Sequence, residues 1–398
     1  MRSDGQGDLF AAVDWQDALE QMRDQGQLRD LDVAVARFLH QQAPDADPAV
    51  LVIAALTSAQ LAAGHLCLDL DEPELAQRLW PAGMPDSLVP VLPPDPPRWH
   101  ALLQASELVG EGPGQPLVLD GSRLYLHRNW TQEVKVADLL LARLRHEPST
   151  PPGDTLAKLF VDGDDEVDWQ QVACALATRA RLTVITGGPG TGKTTTVVRL
   201  LGLLQSLALE QGHALRIRLA APTGKAATRL TQSIGDQVAR LPLPETVRSA
   251  IPTEVSTLHR LLGTRPDSRR FRHHRHNPLH ADLVVVDEAS MIDMEMMASL
   301  LDALDANTRL VLLGDKDQLA SVEAGAVLGD LCRDADQGGY DEATVDFIQQ
   351  SCGADLTAWR GEGGPLAQQT AMLRRNWRFR DSPGIGALAQ AVNQGDSR

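Results

Sequence analysis

The sequence predicts an α/β chain: a mostly helical N-terminal domain, then a lobe of buried strands alternating with helices, then the beginning of a second lobe of the same kind. Three observations predict it. Apolar residues recur at three- and four-residue spacing through roughly the first eighty positions. Past residue 180 short apolar runs appear, each ending where a small polar motif begins. Two proline-rich breaks mark the changes of pattern. A hydrophobic content of 43% over 398 residues can fill more than one core, and the length suits two or three domains.

Taken in order, the helical spacing is clear from Leu28 to Leu39 and again from Val50 to Leu66. The long apolar run Ala49 to Gly64 is interrupted by Thr57, Ser58 and Gln60, so it reads as a core helix rather than a membrane span. Pro90 to Pro97 holds five prolines, which remove donors and restrain their neighbours; it reads as a linker or surface loop. Two short extended runs around Asp120-Gly121, within Pro116 to Leu126, signal a hairpin, and a helix is expected from about Val134 to Arg145. After the second break, Pro148 to Gly153, the candidate strands are Leu182 to Thr186, Arg216 to Ala220, Leu283 to Val286 and Arg309 to Leu313. Ligands gather at the C-terminal ends of such parallel strands. These boundaries divide the chain into 1–110, a helical partner-docking domain; 111–160, a connecting hairpin and helix; 161–335, the first α/β lobe; and 336–398, the incomplete start of another.

The start of the chain lacks the build of a signal peptide, and Cys67, Cys174, Cys332 and Cys352 show no paired spacing for zinc or a disulfide framework, so a reducing cytoplasm is expected. A formal net charge of −16 excludes whole-surface attraction to a polyanion. The charge is uneven, however. Residues 216–275 carry twelve Lys and Arg against four Asp and Glu, a balance of +8 that leaves −24 elsewhere. On charge alone this stretch reads equally as a polyanion track or as a solvated loop region.

The run Val184 to Thr196 contains Gly187-Gly188-Pro189-Gly190-Thr191-Gly192-Lys193-Thr194-Thr195, which fits G-x-x-x-x-G-K-[ST] between a strand and a helical run ending near Leu207. Glycines let successive N–H groups curl round a phosphate chain, the helix start adds positive potential, Lys193 reaches the outer phosphates and Thr194 ligates Mg²⁺. The second acid such a loop requires is supplied by Leu283-Val-Val-Val-Asp-Glu. Asp287 is assigned to the metal and Glu288 to the attacking water. The adjacent Glu, and the lack of an Asn-Lys-x-Asp element, favour ATP over GTP. Within Leu312 to Val322, Gln318 follows another strand and is placed to sense the γ-phosphate.

The order of these motifs resembles the superfamily 1 DNA helicases, and more closely the RecD family, the α subunits of exodeoxyribonuclease V. Asp168 to Ala173 resembles the adenine-reading glutamine motif, with Gln170 at the matching position. Ala221-Pro222-Thr223-Gly224-Lys225 and Ser256-Thr257-Leu258-His259 resemble the two single-strand-contacting motifs, and Leu373 to Phe379 the fourth, with Arg378 as its arginine. Leu28 to Val33, Gly64 to Leu68, Pro116 to Leu126, Arg272 to His274 and Asn277 to His280 resemble other RecD segments, so the likeness covers nearly the whole chain.

The resemblance implies RecA-like lobes, ATP and Mg²⁺ as cofactors, and 5′→3′ translocation on single-stranded DNA from duplex ends. It also implies assembly with RecB-like and RecC-like subunits for recombinational break repair, with the nuclease site in a partner. Two other readings stand beside it: a stand-alone RecD-like or relaxase-linked helicase, and a catalytically incomplete nucleotide-binding assembly protein. The fifth and sixth family motifs are not found before Arg398, so the chain reads as a truncated product, fragment or incomplete sequence. Thr223 and Thr257 read either as phosphate contacts or, for Thr223, as a plain helix cap; His259 reads as a DNA contact or a core histidine. The segment Arg269 to His276 reads as an exposed hairpin with or without DNA contact. Trp377 is expected to be packed, and a last helix is expected within Ser382 to Asp396.

Overall fold

The computed structural model describes residues 14–112, 114–144, 151–160, 167–268, 270–318 and 324–377. The chain divides into two compact units, with the boundary inside one helix at Val134/Lys135.

The first unit opens with helices α1 (Trp15–Asp24), α2 (Asp30–Gln42) and α3 (Pro48–Ala62). Helix α3 starts where Asp47 accepts a hydrogen bond from the Ala49 N–H and proline occupies the first turn, whose N–H needs no partner. As expected for a core helix it is buried all round, Val50 to Ala55 being fully covered. Strand β1 (Cys67–Asp69), the short helices α4 (Leu75–Leu79) and α5 (Trp99–Gln104), and strands β2 (Val109–Gly110), β3 (Leu117–Asp120) and β4 (Arg123–Leu126) complete it. The sheet order is β1-β4-β3-β2. The hairpin β3–β4 forms as expected, closing at Asp120 and Arg123 with Gly121 at φ 58°, a conformation that glycine adopts without strain.

Two sequence expectations are corrected here. The proline-rich stretch is no linker: Leu88 and Leu92 are buried, and the buried Trp99 indole donates to the Pro93 carbonyl at 2.7 Å, so the loop is part of the first unit's core. The hairpin is not a separate connecting region either, because β1 and β2 flank it in one sheet.

Asp32, wholly buried at the start of α2, is fully partnered. It accepts from the Arg29 backbone N–H (2.9 Å), Arg29 Nε (3.1 Å) and Nη2 (2.7 Å), and the Ser58 hydroxyl (2.7 Å). Burial alone pushes its carboxyl up, but those hydrogen bonds outweigh it and hold the group below the usual carboxylate range.

Helix α6 (His127–Leu141) begins seven residues earlier than the sequence suggested and carries the unit boundary. The second unit follows with α7 (Gly153–Ala157), α8 (Trp169–Arg179), β5 (Leu182–Thr186), α9 (Lys193–Glu210), β6 (Ile217–Ala221), α10 (Gly224–Val238), α11 (Glu245–Arg248), β7 (Val255–Thr257), α12 (Leu258–Leu262), β8 (Leu283–Val286), α13 (Met294–Ala303), β9 (Arg309–Gly314), α14 (Val327–Leu331), α15 (Glu342–Cys352) and β10 (Thr370–Met372). The sheet is six-stranded and parallel throughout, in the order β10-β5-β9-β8-β6-β7. Of its inner strands β5 and β8 are buried along their whole length, as expected of a sheet covered by helices on both faces. The four strands read from sequence stand within a residue of their expected bounds; β7 and β10, three residues each, were not anticipated.

Strand β10 corrects the last expected boundary. Through Met372 the segment placed at the start of a second lobe belongs to this sheet, Thr370 to Met372 pairing with Val184 to Thr186, while α15 packs on α8. The helix expected within Ser382 to Asp396, and Arg378, lie outside the described residues. Among the described residues no helix is long and apolar enough to cross a membrane, and all four cysteines are free thiols.

Candidate active site

Strand β5 delivers the chain to the glycine-rich loop, and α9 takes it away from Lys193. Gly192 caps α9 in the left-handed region, φ 86°, and a side chain there would strike the Gln170 amide. At Gly187 a Cβ would lie 2.8 Å from the Thr191 hydroxyl and 2.9 Å from Leu373. Close packing therefore requires glycine at both positions, and at Gly192 the backbone turn requires it too. The Thr191 hydroxyl donates to the Gly188 carbonyl at 2.8 Å, and Lys193 Nζ lies back on the carbonyls of Gly187 and Gly188, at 2.5 and 3.3 Å.

The loop forms one side of a cleft of about 840 Å³. Gly188, Pro189, Gly190, Gly192, Lys193, Thr194 and Thr195 line it, and opposite them stand Asp287 and Glu288 after β8 and Gln318 after β9. All six strands being parallel, their C-terminal ends bring these motifs together. Gln318 Oε1 accepts from the Ser290 hydroxyl at 3.4 Å. Asp287 Oδ1 is buried and has no hydrogen-bond partner. Burial pushes its carboxyl up to about 6, with Glu288 adding to the rise and the Glu288 N–H, Lys193 and Arg229 opposing it. A buried, unpaired carboxylate oxygen beside a loop threonine is the donor set a hard divalent cation takes. Glu288 has φ 53°, the one positive value outside glycine among the described residues. Such backbone strain concentrates at functional positions.

Gln170 stands against the glycine-rich loop. It is buried behind the loop, its Oε1 accepting from Arg199 at 2.8 Å and its Nε2 donating to the Thr191 carbonyl at 3.3 Å, and it does not line the cleft. Because arginine can only donate, Arg199 fixes which end of the amide faces the loop.

Thr223 and Lys225 line the same cleft, at the start of α10, with Pro222 half-buried beside them. Thr223 caps α10, accepting from the Ala226 N–H, and Thr257 caps α12, accepting from the Arg260 N–H, so both hydroxyls perform the local task. His259 is exposed, edge-on to Phe271 at 5.7 Å, which excludes the core-histidine reading. Within the basic stretch Arg216, Arg248 and Arg260 pair with Asp282, Glu245 and Glu254. Isolated antiparallel bridges pair Arg265 with Ser268 and His274 with Asn277, just before and at the end of the segment expected as a hairpin, whose first residue, Arg269, lies outside the described residues.

Sequence reasoning missed Arg229, Ser233 and Gln237, which line the cleft along α10. Their signal was present, since with Lys225 they recur every four residues on one helix face. Trp377 was expected to be packed; it is 43% exposed and faces the cleft.

Residues 170–324 match the family model of an AAA domain, and residues 24–125 match that of the RecBCD enzyme subunit RecD, N-terminal domain. The RecBCD enzyme subunit RecD of Mycolicibacterium smegmatis is 43% identical over 373 residues, 93% of this chain and 58% of that protein. The subunit of the same name from Haemophilus influenzae is 39% identical over 293 residues, 70% and 44% of the two chains. The ATP-dependent RecD2 DNA helicase of Deinococcus radiodurans is 39% identical over 219 residues, 52% of this chain and 26% of that one. The chain thus spans about half the length of the RecD subunits it matches. One match falls on the first unit and another on the glycine-rich loop with its acidic partners, and over most of its own length the chain is similar to RecD subunits.

Proposed function

We propose that this chain supplies the nucleotide-hydrolysing lobe of an ATP-dependent 5′→3′ DNA helicase subunit, working with RecB-like and RecC-like partners on DNA ends. The observation that carries this reading is the cleft in which Lys193, Asp287, Glu288 and Gln318 converge on the glycine-rich loop. ATP is the nucleotide and Mg²⁺ the metal, held by Thr194 and Asp287; the orphaned Asp287 Oδ1 fits that ion. When bound, the ion neutralises charge on the outer phosphates. The backbone N–H groups from Gly188 to Thr195 cradle the phosphate chain, and Lys193 leaves the carbonyls of Gly187 and Gly188 to reach its end. Glu288 orients and deprotonates water, Gln318 reports the terminal phosphate, and Arg378 completes the site.

DNA runs by its backbone across Pro222, Thr223, Lys225, Thr257 and His259, which suits a motor that ignores sequence. The placement supports this: Thr223 and Thr257 each sit at a helix start, and Thr223 and Lys225 share the cleft with the loop. Coupling between DNA and nucleotide then needs no long path. The first unit docks the partner subunits, and the cytoplasm is the compartment, in keeping with four free thiols.

The test is steady-state ATP hydrolysis with and without single-stranded DNA, Lys193→Ala serving as the blank. DNA-stimulated turnover that falls a hundredfold or more, about the cost of losing a transition-state donor, is the expected result. ATP binding without stimulated turnover would replace this reading with that of a nucleotide-binding assembly protein. Absence of both would overturn the site assignment.

A further inference from the structure

Arg374 takes no part in the cleft, yet it is held more tightly than a surface arginine needs to be. Its guanidinium stands 4.7 Å from the ring centroid of Trp169 and 5.5 Å from that of Trp359. The two indoles meet edge to face at 4.9 Å, and the buried Tyr340 stacks on Trp169 at 6.5 Å. Nη2 donates to the carbonyls of Asp336, at 2.7 Å, and Ala335, at 3.4 Å, while Nε is buried without a partner. No ion pair with a carboxylate is formed among the described residues, and burial lowers the group's pKa from its ordinary value. Dehydrating a cation inside an aromatic box costs more than packing an apolar residue there, and what it provides is a fixed position.

The position matters because of what lies on either side. Just before Arg374, the Leu373 N–H donates to the Thr186 carbonyl at 2.8 Å, continuing the pairing of β10 with β5. Just after it, Asn376 Nδ2 donates to the Pro189 carbonyl and the Trp377 N–H to the Gly190 carbonyl, each at 2.9 Å. Residues 373–377 thus form a strap across the crest of the glycine-rich loop. Gln170 holds the Thr191 carbonyl, lies with Trp377 beside Gly192, and directly follows Trp169, one wall of the box. The loop is therefore held by two segments that meet where Arg374 lies on Trp169.

We propose that Arg374 is a positioning residue for nucleotide binding: its seat between Trp169 and Trp359 sets the strap and Gln170 so that the loop is preorganised for phosphate. This rests on the reading of the cleft as an ATP site. Arg374 touches no substrate, and its removal acts through Asn376, Trp377 and Gln170 on affinity rather than on the chemical step.

The experiment compares the full chain with Arg374→Met, Arg374→Lys and Arg143→Met. Arg143 is a buried arginine of the same unit that donates to the carbonyls of Leu304 and Asp305, away from the cleft. Equilibrium titration with ATP and Mg²⁺ gives Kd, turnover gives kcat and KM, and melting reports the fold. Arg374→Met is expected to raise Kd and KM about tenfold with kcat within about twofold, a binding-only signature. Arg374→Lys, which returns a cation to the box, is expected to recover most of that affinity. Arg143→Met is expected to lower the melting temperature at unchanged Kd. If Arg374→Met does not fold, Trp359→Phe, which keeps an aromatic wall, is expected to raise Kd by a smaller factor. Unchanged Kd in the folded Arg374→Met or Trp359→Phe chain overturns the proposal, as does a lysine variant no better than methionine. A wild-type chain that binds no ATP overturns the site reading and this proposal with it.

Discussion

Each unit has an aspartate with a buried carboxylate oxygen, Asp32 in the first and Asp287 in the second, and the two are opposites. Asp32 in the first unit is enclosed and accepts four hydrogen bonds, and its carboxyl is held low. Asp287 in the second has a buried oxygen with nothing to accept from, and its carboxyl is pushed up to about 6. A buried charge with partners is architecture; one without them is stored binding energy awaiting a ligand. The comparison teaches which unit was built to be finished by its own chain and which by something that arrives.

The contrast is broken most severely at the chemistry. Asp287→Asn should cut ATP turnover by about a hundredfold or more, the scale of losing an electrostatic partner in the transition state; turnover near wild type would remove Asp287 from the metal. Next comes Asp32→Ala, which should cost about 3 kcal/mol in urea unfolding. That is the low end for breaking a buried pair, because the Arg29 side chain is 44% exposed. Smaller and of opposite sign, Asp287→Asn should stabilise the ligand-free chain by about 2 kcal/mol at pH 8. The shift from 3.8 to about 6 corresponds to about 3 kcal/mol, less what burying the amide costs.

The pH dependence sharpens the comparison. A group whose pKa is raised on folding stabilises most below its unfolded value, so the Asp287→Asn gain should be full above about pH 6 and fade towards pH 4. Asp32 is lowered on folding, so its contribution is present above 3.8 and is lost as acid titrates it. Parallel pH profiles for the two variants would sink the distinction. The smallest effect belongs to Glu288→Gly. Relief of its φ of 53° should add about 1 kcal/mol to stability while turnover falls, and a destabilised variant would show that the turn carries no strain.

Strong local signals made much of this legible. The P-loop, the acidic pair and the strands behind them follow from glycine geometry and unbroken apolar runs, and they stand where expected. The hairpin at Asp120-Gly121 follows from its turn residues. What escaped was non-local. Three residues at Thr370–Met372 have too little pattern to announce a strand, and nothing nearby says that their partner is β5. Prolines 93 to 97 signal a break but not that Trp99 will seat the loop in a core. The motif at Gln170 has the expected residue, but nothing near it announces that Arg199, twenty-nine positions on, holds its amide. Trp377 was expected to be packed, and its exposure depends on the strap that positions it.

Strand β10 has a further consequence, for the growing chain. The strand that carries the P-loop gains its partner β9 by Gly314, but its other edge stays open until Thr370 is made, 186 positions beyond Val184. At about 5–20 residues per second, the ribosome needs roughly 10 to 40 seconds to add that interval. During those seconds an apolar strand offers unpaired N–H and C=O groups to any passing chain. The same residues that close the open edge of β5 bring the strap onto the loop, so the glycine-rich loop gains its strap as its own strand gains its second partner.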